Sequence, residues 1–441
     1  MIVMLLTIHR GSREIGGTCI ELRSGESRII LDVGMPLVNS DGGEFDIREY
    51  DGLSAQELHD KAVLPQVDGL YDWQEPGIDG VLISHAHQDH YGFLNHVNKN
   101  IPVYLSQGAQ KLIEITALFS KKDSPLKNTL CFSWPSRFRV GAFIITPHLV
   151  DHSSFSAFAF EVEDGEKRVF YSGDFRGHGN LGKAMEVLYR KVAPGSDVLL
   201  MEGTMLGREA EGTQTEEELS HQAADMCAST DKAVFIYQSG QNISRAVSFY
   251  KAAKSTGRIF IPDVYTAHVL AEVSRCPGGE RLPCPGRPGF DDVKVWYPQR
   301  LTSMLFDTDR KDIPLRYQPY KVTKDEMAED LGKVMVFVRP GMQNDLRNIP
   351  GIEGSILIYS LWEGYRTKDK TRQFLEDVQD MGVKIETLHT SGHADLQALQ
   401  RMSTNLKPKR IIPIHTFHPD QYEDSFAEPV QMVEQGEEIA I

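Results

Sequence analysis

The sequence predicts an α/β protein in two parts, a strand-rich core and an α/β unit inserted into it. Three observations predict this. Residues 2–33 read as a β-meander, because "IVMLLTI", "GGTCIEL" and "SRIILDVG" are strand-sized apolar or alternating runs separated by Gly, Ser and charged turns. Between about 205 and 385 the pattern changes to helix and strand in alternation, the signature of a parallel sheet. The chain, at 441 residues, also exceeds what one hydrophobic core usually supports. The expected parts are residues 1–204 for the core, 205–385 for the insert and 386–441 for the return segment of the core.

In order along the chain, the third run ends at Asp32 and an acidic, Gly-rich connection extends from there to about residue 77. "GVLIS" then reads as a buried strand that carries "SHAHQDHYG", residues 84–92, to its C-terminal edge, with a helix expected to start within "DHYGFLNHVNKN". Further strands are expected at "PVYLS", "FIITPHLV", "SAFAFEVE" and "KRVFYSG", and helices at about 107–121 and 181–192. In the insert, "TEEELSHQAADMCAS" and "NISRAVSFYKAAKS" have helical periodicity, while "AVFIYQ" and "RIFIP" read as strands. "VMVFV", "SILIYS" and "KTRQFLEDVQDMG" continue the alternation. The stretch 276–300, with five prolines and four glycines, reads as an irregular excursion.

Composition narrows the function classes. A content of 41% hydrophobic and 25% charged residues is ordinary for a folded protein. The apolar run in "MIVMLLTIHR" is short and lacks a basic start, which argues against a signal peptide. No stretch approaches the roughly 20 apolar residues of a membrane span, so no membrane partner and a cytoplasmic location are expected. Cys19, Cys131, Cys227, Cys276 and Cys284 are odd in number and contain no C-x-x-C pair, so neither a disulfide framework nor a thiolate metal site is indicated. The net charge of −15 argues against coating nucleic acid by bulk attraction, but two short basic stretches, "RTKDKTR" at 366–372 and "KPKR" at 407–410, allow local contacts.

The histidine cluster carries the chemistry. Each neutral imidazole offers one nitrogen lone pair and each carboxylate offers oxygen, so His85, His87, Asp89 and His90 have the donor set of a zinc-type site. Side chains at i, i+2 and i+4 of an extended segment point the same way, which predicts that His85, His87 and Asp89 converge while His90 faces differently. Two metal ions that share the cluster fit this better than one. More donors are then needed at other strand ends, and they occur: His152 in "LVDHSSF", Asp174 in "YSGDFRGHG", His393 in "TSGHAD" and His415 in "PIHTFHPD". Singly, a histidine after a strand is more often a core or capped residue; the force lies in the set and its order.

That order, Asp32, then His85/His87/Asp89/His90, then His152, Asp174 and a late His415, resembles the metallo-β-lactamase superfamily. The resemblance implies an αββα sandwich with the metals at one edge. The α/β stretch after Asp174, with "MEGT" at 201–204 and "TSGHAD" at 390–395, resembles the β-CASP nucleases, and "REIGGTCIEL" and "KPKRIIPIHTFHPD" are most similar to their ribonuclease J branch. It implies that His85, His87 and His152 bind one zinc, that Asp89, His90 and His415 bind the second, and that Asp174 bridges them. Asp32 is then an acceptor that orients a ligand imidazole, Glu202 matches the first acidic β-CASP motif, and His393 lies where the family places a histidine near the scissile phosphate. Asp89, Asp174, Glu202 and His393 are accordingly the expected catalytic residues, with zinc, or manganese as working metal.

Two departures accompany the resemblance. Ribonuclease J enzymes generally carry a further C-terminal domain, whereas this chain runs 26 residues past His415. Where the family often has a Ser/Gly loop for a substrate phosphate, this insert reads "YSLWEGYRTKD", and Trp362 and Tyr365 suit either stacking on a base or packing. A second phosphate candidate is "QSGQNISR", where Ser239, Gly240, Asn242, Ser244 and Arg245 begin a helix; simple N-capping is the alternative.

The leading expectation is a zinc-dependent phosphodiesterase acting on single-stranded nucleic acid, RNA ahead of DNA, threaded between core and insert. Two zinc ions make a shared water acidic enough to furnish hydroxide for in-line attack. Hydrolysis of a cyclic or modified nucleotide on the same metals is the alternative, distinguished by the salt dependence of RNA binding. A catalytically idle nucleic-acid-binding scaffold is a third, and its signature, a missing ligand, is not seen. Exonuclease and endonuclease modes and a homodimer stay open.

Overall fold

A computed structural model describes residues 3–39, 42–208, 213–308 and 310–441. The chain divides into two compact units, Met1–Glu211 with Gly392–Ile441, and Gly212–Ser391.

The first unit contains two sheets. One orders its strands Glu438–Ala440, Met4–Arg10, Cys19–Ser24, Ser27–Leu31, Gly80–Leu82, Val103–Leu105 and Thr129–Cys131. Its first four are antiparallel and the rest run parallel to Ser27–Leu31. The other orders Ile411–Ile414, Val198–Glu202, Arg168–Tyr171, Phe158–Glu163, Phe143–Leu149 and Phe138–Val140. Its first three strands are parallel.

The alternating pattern of the meander buries Met4, Leu6 and Ile8 against residues of the second sheet, including Phe143, Phe160, Tyr171 and Leu200, in one core. By contrast "VLLME" at 198–202 is buried throughout, as a parallel strand covered on both faces must be. On the far side of the second sheet, Met185, Leu188, Leu399 and Met402 of the helices Gly182–Lys191 and Leu396–Leu406 pack on Phe170, Leu199 and Met201. This is the α/β sandwich that the sequence predicted.

The second unit is built on a parallel sheet ordered Ile259–Ile261, Val334–Phe337, Val234–Tyr237, Ile356–Tyr359 and Lys384–Thr387. Helices Glu216–Ala228, Ile243–Ser255, Val264–Val273 and Asp369–Asp380 alternate with the strands, as expected of the insert. Phe374, Leu375 and Val378 of the last of these pack against Tyr237, Leu357 and Tyr359. The Pro/Gly-rich stretch holds only the two-residue strand Val295–Trp296 and the start of helix Gln299–Asp307.

The helix expected to start at the histidine cluster is present but short. It is only Gln88–Tyr91, succeeded by a 3-10 turn Leu94–His96. Gly92 and Phe93 intervene, and the Phe93 N–H turns away to the Val33 carbonyl, so the helical ladder stops. All five cysteines are free thiols. No helix among the described residues is long and apolar enough to cross a membrane.

Candidate metal centre

Parallel strands present their C-terminal ends, with the loops beyond them, on one edge. Asp32 comes directly after Ser27–Leu31, His85 and His87 after Gly80–Leu82, Asp174 after Arg168–Tyr171, and His415 after Ile411–Ile414. His152 comes from the loop after Phe143–Leu149, and His393 from the turn before helix Leu396–Leu406. The Phe158 N–H donates to the Ser84 carbonyl at 3.0 Å, which ties the two sheets together at the cluster.

The donors form two nests. The ligand atoms of His85, His87, His152 and Asp174 lie within 4.8 Å of one another, and so do those of Asp89, His90, Asp174 and His415. The expected convergence of His85, His87 and Asp89 is corrected by this grouping. The backbone turns helical at Gln88, which sends Asp89 to the second nest and aims His90 Nε2 at Asp174 Oδ2, 3.1 Å away.

The second nitrogens of the rings fix their orientation. Asp32, fully buried, accepts from the Ser84 N–H and from Ser84 Oγ–H, both at 2.7 Å, from His90 Nδ1–H at 2.7 Å and from the Tyr171 hydroxyl at 2.5 Å. Ser84 Oγ accepts in turn from His85 Nδ1–H at 3.0 Å, so one carboxylate sets the tautomer of two imidazoles. His152 Nδ1–H donates to the Gly392 carbonyl at 2.6 Å, and His415 Nδ1 pairs with Thr18 Oγ1 at 3.1 Å. Gly34 is required beside the cluster, because a Cβ there would lie 1.8 Å from the Asp89 carbonyl oxygen.

These residues fit a pair of cations. His87 Nδ1 sits 3.0 Å from His85 Nε2 and 3.1 Å from His152 Nε2, a convergence of lone pairs that calls for an electrophile among them. Asp174 Oδ1 and His415 Nε2 are buried without a hydrogen-bond partner, an expensive arrangement for groups that serve only packing. Burial holds His85 and His152 well below the ordinary histidine range and brings His87 to about 4, so these rings offer lone pairs at neutral pH. Burial also lowers His415. At His90 burial is outweighed by the Asp174, Asp32 and Asp89 carboxylates, which raise it well above that range; the same negative field favours a cation.

A third group adjoins the nests: Asp174, Glu202 and His393 also lie within 4.8 Å of one another. Here the geometry differs, because the Glu202 carboxylate is already engaged. It accepts from the N–H groups of Phe175 at 2.9 Å, Thr204 at 3.3 Å and Ala394 at 3.4 Å, and from His393 Nδ1–H at 3.2 Å. Burial disfavours charge on His393, but Glu202 and Asp174 overcome this and raise it to about 9, so the part-buried ring carries a proton at neutral pH.

Sequence reasoning missed one buried pair. Arg176 and Asp151, both fully buried, are 3.5 Å apart, and the Arg176 N–H donates to the Asp151 carbonyl at 2.7 Å. The pair clamps the loop bearing His152 to the loop bearing Asp174. The only hint in the sequence is that each charge lies beside or near a ligand, and their spacing of 25 residues carries no periodicity.

The second phosphate candidate looks different in the structure. Arg245 is fully buried in the second unit. Its guanidinium pairs with Glu216 at 3.0 Å and donates to Ser360 Oγ at 2.5 Å and to the Thr390 carbonyl at 2.8 Å. That is a structural tie, and it corrects the expected phosphate contact. Asn242 Oδ1 accepts from the Arg245 N–H at 3.0 Å, the N-cap alternative. Gly240 packs where a Cβ would strike the Tyr265 ring at 2.6 Å, and the Ser244 carbonyl accepts from Ser248 Oγ at 3.2 Å. Of the five candidates only Ser239 is exposed.

The segments that build the centre match known families. Residues 60–237 match the family described as a beta-lactamase superfamily domain, and residues 380–423 match the Zn-dependent metallo-hydrolase RNA specificity domain. Ribonuclease J of Sinorhizobium meliloti is 26% identical over 367 residues, 80% of this chain and 60% of that protein. Transcription termination factor FttA of Methanothermobacter thermautotrophicus is 29% identical over 225 residues, 46% of this chain and 32% of that protein. The chain thus spans less than two thirds of either relative. A crystal structure of an Enterococcus faecalis V583 protein of unknown function superposes with a TM-score of 0.79 at 20% identity, covering 100% of both chains, which shows a shared fold.

Proposed function

This chain belongs to the metallo-β-lactamase superfamily, with a Zn-dependent metallo-hydrolase RNA specificity domain, and on that premise we propose that it hydrolyses phosphodiester bonds of single-stranded RNA. One observation carries the reading: Asp174 belongs at once to both four-donor nests and to the Glu202–His393 pair. A site able to hold two cations beside a histidine fixed by Glu202 suits displacement at phosphorus. The RNA-specificity match, which spans both His393 and His415, supports RNA as the substrate class.

His85, His87 and His152 would hold one zinc and Asp89, His90 and His415 a second, with Asp174 within reach of both, and the metals would supply positive charge against phosphoryl oxygens and lower the pKa of water towards neutrality. The chain's own groups do the rest. Asp32, Ser84, Thr18 and the Gly392 carbonyl hold the rings in the tautomers that direct their other nitrogens inward. Glu202 fixes His393 through Nδ1, so the proton available for transfer sits on Nε2. That proton passes to the leaving 3′ oxygen as the P–O bond breaks.

The test is a time course on 5′-labelled single-stranded RNA with zinc- or manganese-loaded protein. Wild type is expected to cleave and Asp174→Ala is not. His393→Ala should slow cleavage by about 10²–10⁴-fold with its metal content intact. RNA left equally intact by wild type and Asp174→Ala would sink the reading. The net charge of −15 would then favour a small nucleotide as the substrate of the same centre.

A further inference from the structure

In the first unit, strand Ile411–Ile414 delivers His415 to the metal centre, and the chain beyond it turns at the edge of the sheet. The turn begins in a conformation that L-residues seldom adopt, since His415 has a φ of 52°. Bonds on either side hold it there. The His415 N–H donates to the Gly11 carbonyl at 2.7 Å, and the His415 carbonyl accepts from Thr204 Oγ1–H at 3.3 Å. Thr416, fully buried, accepts through Oγ1 from the His418 N–H at 3.1 Å. The His418 ring in turn lies against Gly207, where a Cβ would come within 2.2 Å of it.

Phe417 stands out of this pinned turn. His415, Thr416 and Pro419 are buried, whereas Phe417 is 46% exposed. It does not join the apolar cluster that takes in Tyr422 and Phe426 a few residues on, and among the described residues no ring and no cation is stacked on it. A lone apolar side chain on a surface is ordinary, but this one is placed. Two peptide units keep its Cα within about 7.6 Å of that of His415, beyond the C-terminal end of a parallel strand, where sheets of this kind hold their ligands. The His415 ring is stacked on that of His393 at 5.7 Å and 28°, so this turn lies on the side of the centre that holds the proton for the leaving oxygen.

We propose that Phe417 is the stacking surface for the base of the nucleotide that carries the leaving 3′ oxygen. This rests on the RNA-hydrolase reading. Every base has a π-face, so an open ring grips an unpaired nucleotide without reading its sequence. A ring joined through two peptide units to a metal ligand also keeps the gripped nucleotide in register with the centre, and displacement at phosphorus tolerates little misplacement.

The experiment measures steady-state cleavage of a labelled single-stranded oligouridylate, with zinc content and melting temperature followed in parallel. Phe417→Ala should lose about tenfold or more in kcat/KM, chiefly through KM, with zinc content and melting temperature unchanged. Phe417→Leu, apolar but without a π-face, should lose nearly as much, and Phe417→Trp should stay within a few-fold of wild type. An alanine variant as active as wild type, a leucine variant that restores activity, or an alanine variant that loses zinc would overturn the stacking role and leave the hydrolase reading standing. Wild type that does not cleave the RNA would overturn both.

Discussion

Replacing Asp32 by asparagine tests whether one buried carboxylate organises the metal centre. Its Oδ1 accepts from the Ser84 N–H, and its Oδ2 accepts from Ser84 Oγ, His90 Nδ1 and the Tyr171 hydroxyl. Asparagine keeps one acceptor oxygen and turns the other into an N–H donor. With its oxygen towards the three side-chain donors, its amide confronts the Ser84 N–H; flipped, it confronts all three. The better choice orphans one buried N–H, about 1–3 kcal/mol, and removes the charge assistance from three bonds, so the fold should lose about 3–5 kcal/mol. Zinc affinity should fall by about 10–100-fold, because His90 and, through Ser84, His85 lose their fixed tautomers. Competition with a chromophoric chelator measures the affinity, and melting of the metal-free protein measures the stability. A variant with wild-type zinc affinity and melting temperature would refute the assignment of Asp32 as the organising acceptor.

Other expectations rest on the same geometry. Asp174→Ala should lose more than one zinc equivalent by elemental analysis, since Asp174 belongs to both nests; loss of a single equivalent would assign it to one nest. Arg245→Met leaves the Glu216 carboxylate buried without its partner and should cost about 3–5 kcal/mol in denaturant melts. Glu21 should contribute to acid stability. Burial raises its pKa, but hydrogen bonds from His9 and Arg28 outweigh this and bring it down from 4.5 to about 2. A folded-state value below the unfolded one means that the contribution is complete above pH ~4.5, about 3 kcal/mol, and is lost as pH falls towards 2. Glu21→Gln should therefore flatten the melting profile across that window, and a profile parallel to wild type would contradict it.

The sequence made the sandwich and the donor residues legible because both leave local marks. Apolar runs of strand length end in Asp32, His85, Asp174 and His415, and neighbouring parallel strands bring the residues beyond their C-terminal ends to one edge. The features that stayed hidden depend on partners distant in sequence. Arg245 reads as a surface cation at a helix start until Glu216, 29 residues away, is folded beside it. Asp151 and Arg176 form their pair only once two strands have aligned the loops. The destination of Asp89 hinged on one turn of backbone, Gln88–Tyr91, too short to show a helical period.

The strand Ile411–Ile414, which bears His415 at its end, inserts beside Val198–Glu202, and Thr18 meets His415 across 397 positions of chain. During synthesis the donors up to Asp174 therefore emerge long before the second nest is complete. Residues 212–391 are translated first, and only then do His393 and His415 reach their places. Until that return segment has been made, the nascent chain holds one set of donors without His393 or His415, and Val198–Glu202 stays at the edge of its sheet.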